Sequence, residues 1–98
     1  MINKSNIGII GAGTMGNGIA HVFSLSKASK NVYLVDVDKN ILKRSLHNIE
    51  TNLGRQIKKG IINQEDMEGA LNKIICSTNI KEFKTCQLVI EAVKEDIN

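Results

Sequence analysis

The amino-acid sequence predicts an α/β fold built on a parallel sheet. Two observations indicate it. Short runs of aliphatic and β-branched residues recur along the chain, and segments with apolar residues at helical spacing separate the first three of these runs. Nearly continuous apolar strands between amphipathic helices are typical of a parallel sheet whose two faces are both covered. The 98 residues allow one domain at most, and the absence of proline favours regular elements over long loops.

The first half of the chain reads as strand, helix, strand. Residues 7–10 form the first predicted strand, which stops at Gly11. Helical spacing of apolar residues follows Gly16, and residues 31–35 form the second predicted strand. Asp38 then stands where a helix N-cap is expected.

The second half adds two helices and two strands. Apolar residues recur at steps of mostly three and four over about five helical turns; they are Ile41, Leu42, Leu46, Ile49, Leu53 and Ile57. We assign the polar residues between them to an outer face; these are Lys43, Arg44, Asn48 and Arg55. We expect this helix to end at Gly60 and Asn63 to cap a shorter one. Strands are predicted at residues 73–78 and 87–93, and the expected strand order is 3-2-1-4.

Composition excludes several classes of function. The net charge is only +3 and aromatic residues make up 3%, so the chain lacks the basic stripe and the stacking platforms of nucleic-acid-binding proteins. No apolar run is long enough for a membrane span. Cys76 and Cys86 lack metal-site spacing and are interpreted as free thiols, which suits a cytoplasmic protein. We expect no metal site.

Residues 11–16, with the sequence GAGTMG, fit the pattern G-x-G-x-x-G between a predicted strand and a predicted helix. Gly11 allows a tight turn, Gly13 lets a pyrophosphate approach the backbone, and Gly16 lets the helix pack on the strand. Asp36 follows Gly16 by 20 residues at the end of the second strand, the spacing of an acid that binds the adenosine ribose. The motif therefore predicts a doubly wound, Rossmann-type fold that binds NAD in preference to NADP. The alternatives are a plain glycine turn and, for Asp36, a helix cap.

Residues 7–20 closely resemble the start of the 3-hydroxyacyl-CoA dehydrogenases, particularly the bacterial 3-hydroxybutyryl-CoA dehydrogenases, and residues 88–95 resemble the family's L-V-I-E-A-x-x-E segment. The resemblance implies oxidation of a 3-hydroxyacyl-CoA by hydride transfer to NAD. It implies cofactor-binding residues in two segments: Gly11, Ala12, Gly13, Thr14, Met15 and Gly16 with Asp36, and then Ala92, Val93 and Glu95. A solvent-exposed loop is the alternative for Glu95.

The resemblance also implies contacts from Asn52 and Lys59 to the CoA part of an acyl-CoA substrate. For Lys59 the alternative is that a cation simply complements a helix C-terminus. The connection before Asp36 is about two residues longer than in the family and lacks glycine. We expect Asn31 to take the left-handed conformation in its place.

No catalytic residue is predicted in this chain. The family's base is a histidine held by a glutamate, which the resemblance assigns to segments later than Asn98, and we interpret His21 and His47 as structural. Residues 1–98 are therefore expected to be the N-terminal part of an NAD-binding domain, truncated after its fourth strand and without the family's C-terminal helical domain. The open edge of the fourth strand predicts self-association, with exposed helix faces as the alternative surface. Two other functions are left open: another NAD(P)-dependent β-hydroxyacid dehydrogenase, and a non-catalytic nucleotide-sensing module.

Overall fold

The computed structural model describes residues 4–92. Its elements are β1 (Ser5–Ile10), α1 (Thr14–Leu25), β2 (Ser29–Val35), α2 (Lys39–Lys58), α3 (Gln64–Lys73), β3 (Ile74–Ser77), a 3₁₀ helix (Ile80–Thr85) and β4 (Leu88–Glu91). The four strands form one parallel sheet in the order β3-β2-β1-β4, which confirms the predicted fold and strand order.

The hydrophobic core lies on one face of this sheet. Ile9 and Leu34 are adjacent on β1 and β2, and both are fully buried. They belong to one apolar cluster with Ala20 of α1, Leu53 of α2 and Ala70 of α3. All three α-helices therefore cover the same face of the sheet.

The opposite face is largely open within residues 4–92. Gly8, Tyr33, Ile75 and Val89 lie side by side across the four strands on this face. A Cβ on Gly8 would lie 2.6 Å from the ring of Phe83, so the 3₁₀ helix packs directly on β1. Ile75 remains 36% exposed and Val89 44%. The prediction that both faces are covered is therefore wrong for the described residues.

Side chains and one glycine set the ends of α2 and α3 as predicted. Asp38 Oδ1 accepts hydrogen bonds from the Asn40 and Ile41 N–H groups. Gly60 follows α2 with φ of 73°, a conformation that favours glycine. Asn63 and Asp66 form a reciprocal capping box at the start of α3.

The expectation for Asn31 is wrong. Ser5 pairs with Ser29 but Asn6 pairs with Asn31, so Lys30 is an extra residue within β2. Asn31 itself lies in the strand, and no non-glycine residue between positions 4 and 92 has a positive φ. A β-bulge, and not a left-handed turn, thus absorbs one residue of the longer connection. None of the helices formed by these residues is long and apolar enough to cross a bilayer.

Candidate functional site

The turn between β1 and α1 depends on two glycines. Gly11 has φ of 100°, where a side chain would strain the backbone, and its N–H donates to the Val35 carbonyl at 2.7 Å. A Cβ on Gly16 would collide with the Gly11 carbonyl oxygen. The two residues therefore bring the start of α1 against the end of β1, as the glycine spacing predicted.

Gly13 plays a different part in the same turn. A Cβ built on Gly13 meets no atom within 4 Å, and Gly13, Thr14 and Met15 are all exposed. Nothing in the fold of residues 4–92 requires a glycine here for space. The open surface above Gly13 leaves room for a ligand to approach the backbone closely.

The start of α1 has no side-chain cap. Gly13 occupies the N-cap position of α1 and makes no side-chain hydrogen bond, whereas Asp38 caps α2 and Asn63 caps α3. The first bond within α1 runs from the Asn17 N–H to the Gly13 carbonyl at 2.8 Å. The N–H groups of the first helical turn therefore have no partner inside the helix and can receive an anion.

Asp36 lies at the tip of β2, directly beside this turn. Its Oδ2 accepts the Ala12 N–H at 2.9 Å and its Oδ1 accepts the Asp38 N–H at 2.9 Å. An ionised carboxylate has about four acceptor sites, so each oxygen keeps capacity for one further donor. Asp36 thus supports the glycine turn and still presents acceptors to a ligand. It does not cap α2, because the N-cap residue of that helix is Asp38.

Ala92 follows β4 at the same edge of the sheet. It is 6% exposed, and its N–H donates to the Ile10 carbonyl at 2.8 Å, so it lies next to the glycine turn. The predicted site residues Val93 and Glu95 lie outside the described residues. The structure brings the first predicted segment, residues 11–16, together with Asp36 and Ala92.

A trough runs from the glycine turn along the space between α1 and α2. It consists of two open cavities of about 440 and 410 Å³. The two cavities share four lining residues, Asn17, Gly18, Asn52 and Arg55, and are therefore adjacent parts of one surface. One end reaches Gly13 and Thr14, and the other reaches Lys59 and Ile61. We refer to this surface as the interhelical trough.

Both predicted substrate residues line the interhelical trough. Asn52 borders the two cavities, and Lys59 borders the one farther from the glycine turn. Lys59 is also the C-cap residue of α2, so its position equally suits the alternative in which it complements the helix terminus. Arg44, Asn48 and Arg55 line the trough as well. All three are exposed, as expected for the outer face of the helix, and they border the trough from that side.

A hydrogen bond that joins α1 and α2 beside the trough was not predictable from the sequence. His21 Nε2 and Gln56 Oε1 are 2.7 Å apart, so a hydrogen bond links the two helices. This contact agrees with the structural interpretation of His21. The spacing of Arg44 and Arg55, which equals about three helical turns, was the available signal that both share one face of α2. Without the position of α1, the trough beside that face could not be predicted.

The two thiols and the carboxylates among residues 4–92 do not form a metal-binding cluster. Cys76 and Cys86 are free, and partial burial raises the pKa of both, with the nearby Glu82 adding to the shift at Cys86. Thiols with raised pKa values carry little thiolate at neutral pH. Within residues 4–92, no three side chains of the metal-binding types cluster together.

Comparisons with known proteins bear directly on this site. Residues 6–98 match the family model described as "3-hydroxyacyl-CoA dehydrogenase, NAD binding domain". The chain is 42% identical over 89 residues to a 3-hydroxybutyryl-CoA dehydrogenase of Bradyrhizobium diazoefficiens, covering 91% of this chain and 30% of that protein. It is 35% identical over 95 residues to a 3-hydroxyadipyl-CoA dehydrogenase of Escherichia coli, covering 97% of this chain and 20% of that protein.

A comparison with solved structures indicates the same family. The crystal structure of an (S)-3-hydroxybutyryl-CoA dehydrogenase from Ralstonia eutropha superposes with a TM-score of 0.85 at 34% identity, covering 97% of this chain and 33% of that one. The chain thus spans about a third or less of the length of these relatives. With the glycine turn, the uncapped helix and Asp36 at one edge of a parallel sheet, the chain belongs to the NAD-binding domain family of the 3-hydroxyacyl-CoA dehydrogenases, and its cofactor is NAD.

Proposed function

We propose that this chain forms the cofactor-binding part of an enzyme that oxidises 3-hydroxyacyl-CoA to 3-oxoacyl-CoA. The observation that carries the proposal is the uncapped start of α1 beneath the open surface of Gly13. Unpaired N–H groups and the positive end of the helix dipole together suit a pyrophosphate. NAD, when bound, supplies the acceptor for the hydride.

Asp36 is proposed to bind the adenosine ribose and to select NAD over NADP. Each of its oxygens already accepts one backbone N–H and has capacity for a ribose hydroxyl. A phosphate on the ribose 2′ oxygen would instead place negative charge beside this carboxylate. Ala92 is proposed to lie along the nicotinamide half of the cofactor, followed by Val93 and Glu95.

The proposed substrate is a short-chain thioester such as 3-hydroxybutyryl-CoA. Its CoA part is assigned to the interhelical trough, with Asn52 and Lys59 in contact with it. Relatives named for 3-hydroxybutyryl-CoA and 3-hydroxyadipyl-CoA support the CoA thioester class and differ in the acyl group. The acyl-chain length within this proposal therefore rests on the resemblance to the bacterial 3-hydroxybutyryl-CoA enzymes.

This chain is proposed to supply no catalytic residue. His21 is engaged with Gln56 between two helices, and His47 is an exposed residue of α2. Neither is a described neighbour of the glycine turn, whereas a base must reach the hydroxyl proton of the substrate. We assign the base and the C-terminal helical domain to the part of the relatives' length that this chain does not span, and we expect the 98-residue chain alone to be inactive.

Calorimetric titration of the purified chain with NADH, NADPH and CoA tests the binding proposals, and an absorbance assay with 3-hydroxybutyryl-CoA and NAD tests for turnover. The expected result is NADH binding, weaker NADPH binding and no turnover. Equal affinity for the two dinucleotides would contradict the role of Asp36. Turnover by the isolated chain would contradict the assignment of the base to another segment. NADH binding with no affinity for CoA would favour the nucleotide-sensing alternative.

We also propose that two copies of the chain associate through β4. Among residues 4–92, β4 pairs with β1 on one side only, and Leu88 and Val89 are each 44% exposed. An apolar strand with a free edge pairs readily with another strand. Light scattering of the chain and of Val89→Lys should show association that the substitution reduces. A monomer at high concentration for both proteins would contradict this proposal.

A further inference from the structure

His21 is a titratable side chain in the second cavity of the interhelical trough, the one farther from the glycine turn. Arg55 and Lys59 of α2 line the same cavity. No aspartate or glutamate belongs to its described lining. Histidine is the side chain whose charge ordinarily changes between pH 5 and 8, whereas arginine and lysine stay protonated there. The net charge of this cavity therefore depends on His21 near neutral pH.

The contact with Gln56 determines which nitrogen of His21 can take up a proton. Nε2 of the ring and Oε1 of Gln56 are 2.7 Å apart. An amide oxygen only accepts hydrogen bonds, so Nε2 carries the hydrogen in this contact, and Nδ1 holds the free lone pair of the neutral ring. Protonation at Nδ1 therefore leaves the contact between α1 and α2 intact. His21 can gain a charge without separating the two helices.

The charged side chains that share the cavity with His21 are both cationic. His21 is the only acidic or basic residue of α1. Lys73 of α3 contacts α1 at the Ser26 carbonyl, five positions beyond His21, and does not line the cavity. The other charged residues of α3, of β2 and of the connection before β2 are exposed and do not line it either; they are Glu65, Asp66, Glu68, Lys30 and Lys27. An anion bound beside the two cations of α2 would therefore favour positive charge on the imidazole ring.

We propose that the trough binds its anionic ligand together with a proton, which comes from solvent and is held at Nδ1 of His21. The inference rests on the proposed acyl-CoA substrate, and the anion is a phosphate group of the CoA part. Gln56 holds the ring through Nε2 while Nδ1 changes its protonation. Substrate affinity is then linked to pH, and it rises as the pH falls through the range in which histidine titrates.

Calorimetric titration of the 98-residue chain with CoA at pH 6 and at pH 8 tests the inference. The 3′ phosphate of CoA, a monoester, changes its own charge in this range, so the comparison is made between proteins that bind the same ligand. The ratio of the affinity at pH 6 to that at pH 8 should be about threefold larger for the unmodified chain than for His21→Gln, the size expected of one partly exposed charge pair. The side chain in His21→Gln keeps a donor for Gln56 Oε1.

His47→Gln is the matched control. It removes the other histidine of the chain, which is exposed on α2 and lines neither cavity. This variant should keep the full affinity ratio of the unmodified chain. Unfolding temperatures measured without ligand verify that both variants are folded.

The proton itself can be observed in the unmodified chain, so the test does not depend on the variants alone. Nitrogen chemical shifts of the two imidazole rings at pH 7 should show that His21 becomes protonated when CoA binds and that His47 does not. Pantetheine carries no phosphate and should leave both rings unchanged. Calorimetry in buffers of different ionisation enthalpy should show more proton uptake on CoA binding for the unmodified chain than for His21→Gln.

An affinity ratio in His21→Gln equal to that of the unmodified chain would overturn the inference, as would a His21 ring that stays neutral in the CoA complex. Either result leaves the assignment of CoA to the trough standing. Absence of CoA binding at both pH values, with NADH binding retained, would refute that assignment together with this inference and leave the cofactor site standing. Absence of NADH binding with the CoA effects intact would refute the cofactor site and leave this inference standing.

Discussion

Asp36 Oδ2 accepts the backbone N–H of Ala12 at 2.9 Å, which joins the tip of β2 to the glycine turn after β1. The two residues are 24 positions apart in the chain. The acid proposed to bind the adenosine ribose therefore also supports the loop that is proposed to face the pyrophosphate. Loss of this carboxylate should affect the fold as well as the affinity for NADH.

The first prediction concerns this double role. Asp36→Ala removes two hydrogen bonds to a charged acceptor, so the free energy of unfolding should fall by about 1–2 kcal/mol even without ligand. Chemical denaturation of the unliganded chain measures this loss, and calorimetry measures the accompanying loss of NADH binding. Glu50→Ala, at an exposed position of α2, is the control. Unchanged stability of Asp36→Ala would show that the carboxylate does not support the turn.

The second prediction separates the glycines of the turn. Gly13→Val should remain folded, because its side chain meets open space, and should lose NADH binding because it fills the approach to the backbone. Gly16→Ala should instead destabilise the chain by about 3 kcal/mol, since its Cβ collides with the Gly11 carbonyl oxygen. Circular dichroism melts and NADH titrations distinguish the two outcomes. A Gly13→Val variant that binds NADH normally would show that the pyrophosphate does not approach there.

The third prediction concerns Ser45, a polar residue on the inward face of α2. Ser45 is 2% exposed, and its Oγ has no hydrogen-bond partner in the described part of the chain. Ser45→Ala should therefore raise the free energy of unfolding by about 1 kcal/mol.

Ser24→Ala is the matched control for this substitution. Ser24 is equally buried, but its Oγ donates to the His21 carbonyl at 2.7 Å. Its replacement should lower stability by up to about 1 kcal/mol. A loss of stability in Ser45→Ala comparable to that in Ser24→Ala would indicate that the Ser45 hydroxyl does have a partner.

The fourth prediction is a pH dependence that arises from the two thiols. Burial raises the pKa of Cys76 and Cys86 above the ordinary value of 9.0, so the unfolded chain releases these protons first as the pH increases. The protonated thiols therefore contribute fully to the free energy of unfolding below pH 9, and this contribution should be lost as the pH rises above 9. Burial lowers the pKa of Lys73, so this residue makes the free energy of unfolding rise with pH, opposite to the effect of the thiols. A Cys76→Ala/Cys86→Ala variant shares that slope, so the difference between the two proteins isolates the thiols. Parallel stability curves from pH 8 to 10 would contradict the prediction.

The sheet and the glycine turn were largely predictable because their signals are local. Asp38, Gly60 and Asn63 act on the helix ends beside them, and the glycines of the turn act within six residues of chain. The bulge at Lys30 could not be predicted, because it arises from the register between β1 and β2. The 3₁₀ helix that carries Phe83 onto Gly8 was missed for the same reason: its stability depends on a partner strand far away in sequence.

The interhelical trough shows the limit of periodicity as a guide to function. The pattern of α2 identified Leu42, Ile49 and Leu53 as buried, and the structure confirms this. The exposed polar residues between them divide into those that border the trough, such as Arg44, and those that do not, such as Lys43. That division depends on where α1 lies, which no spacing within α2 encodes.

An amide NMR titration of the ¹⁵N-labelled chain with NADH tests directly whether the cofactor binds at the glycine turn. We expect the largest shifts at Ala12, Gly13, Thr14 and Met15 and smaller ones at Asp36 and Ala92. These shifts should be absent in Gly13→Val. Saturable shifts centred elsewhere, for example along β3 or α3 with the glycine turn unaffected, would contradict binding at this turn.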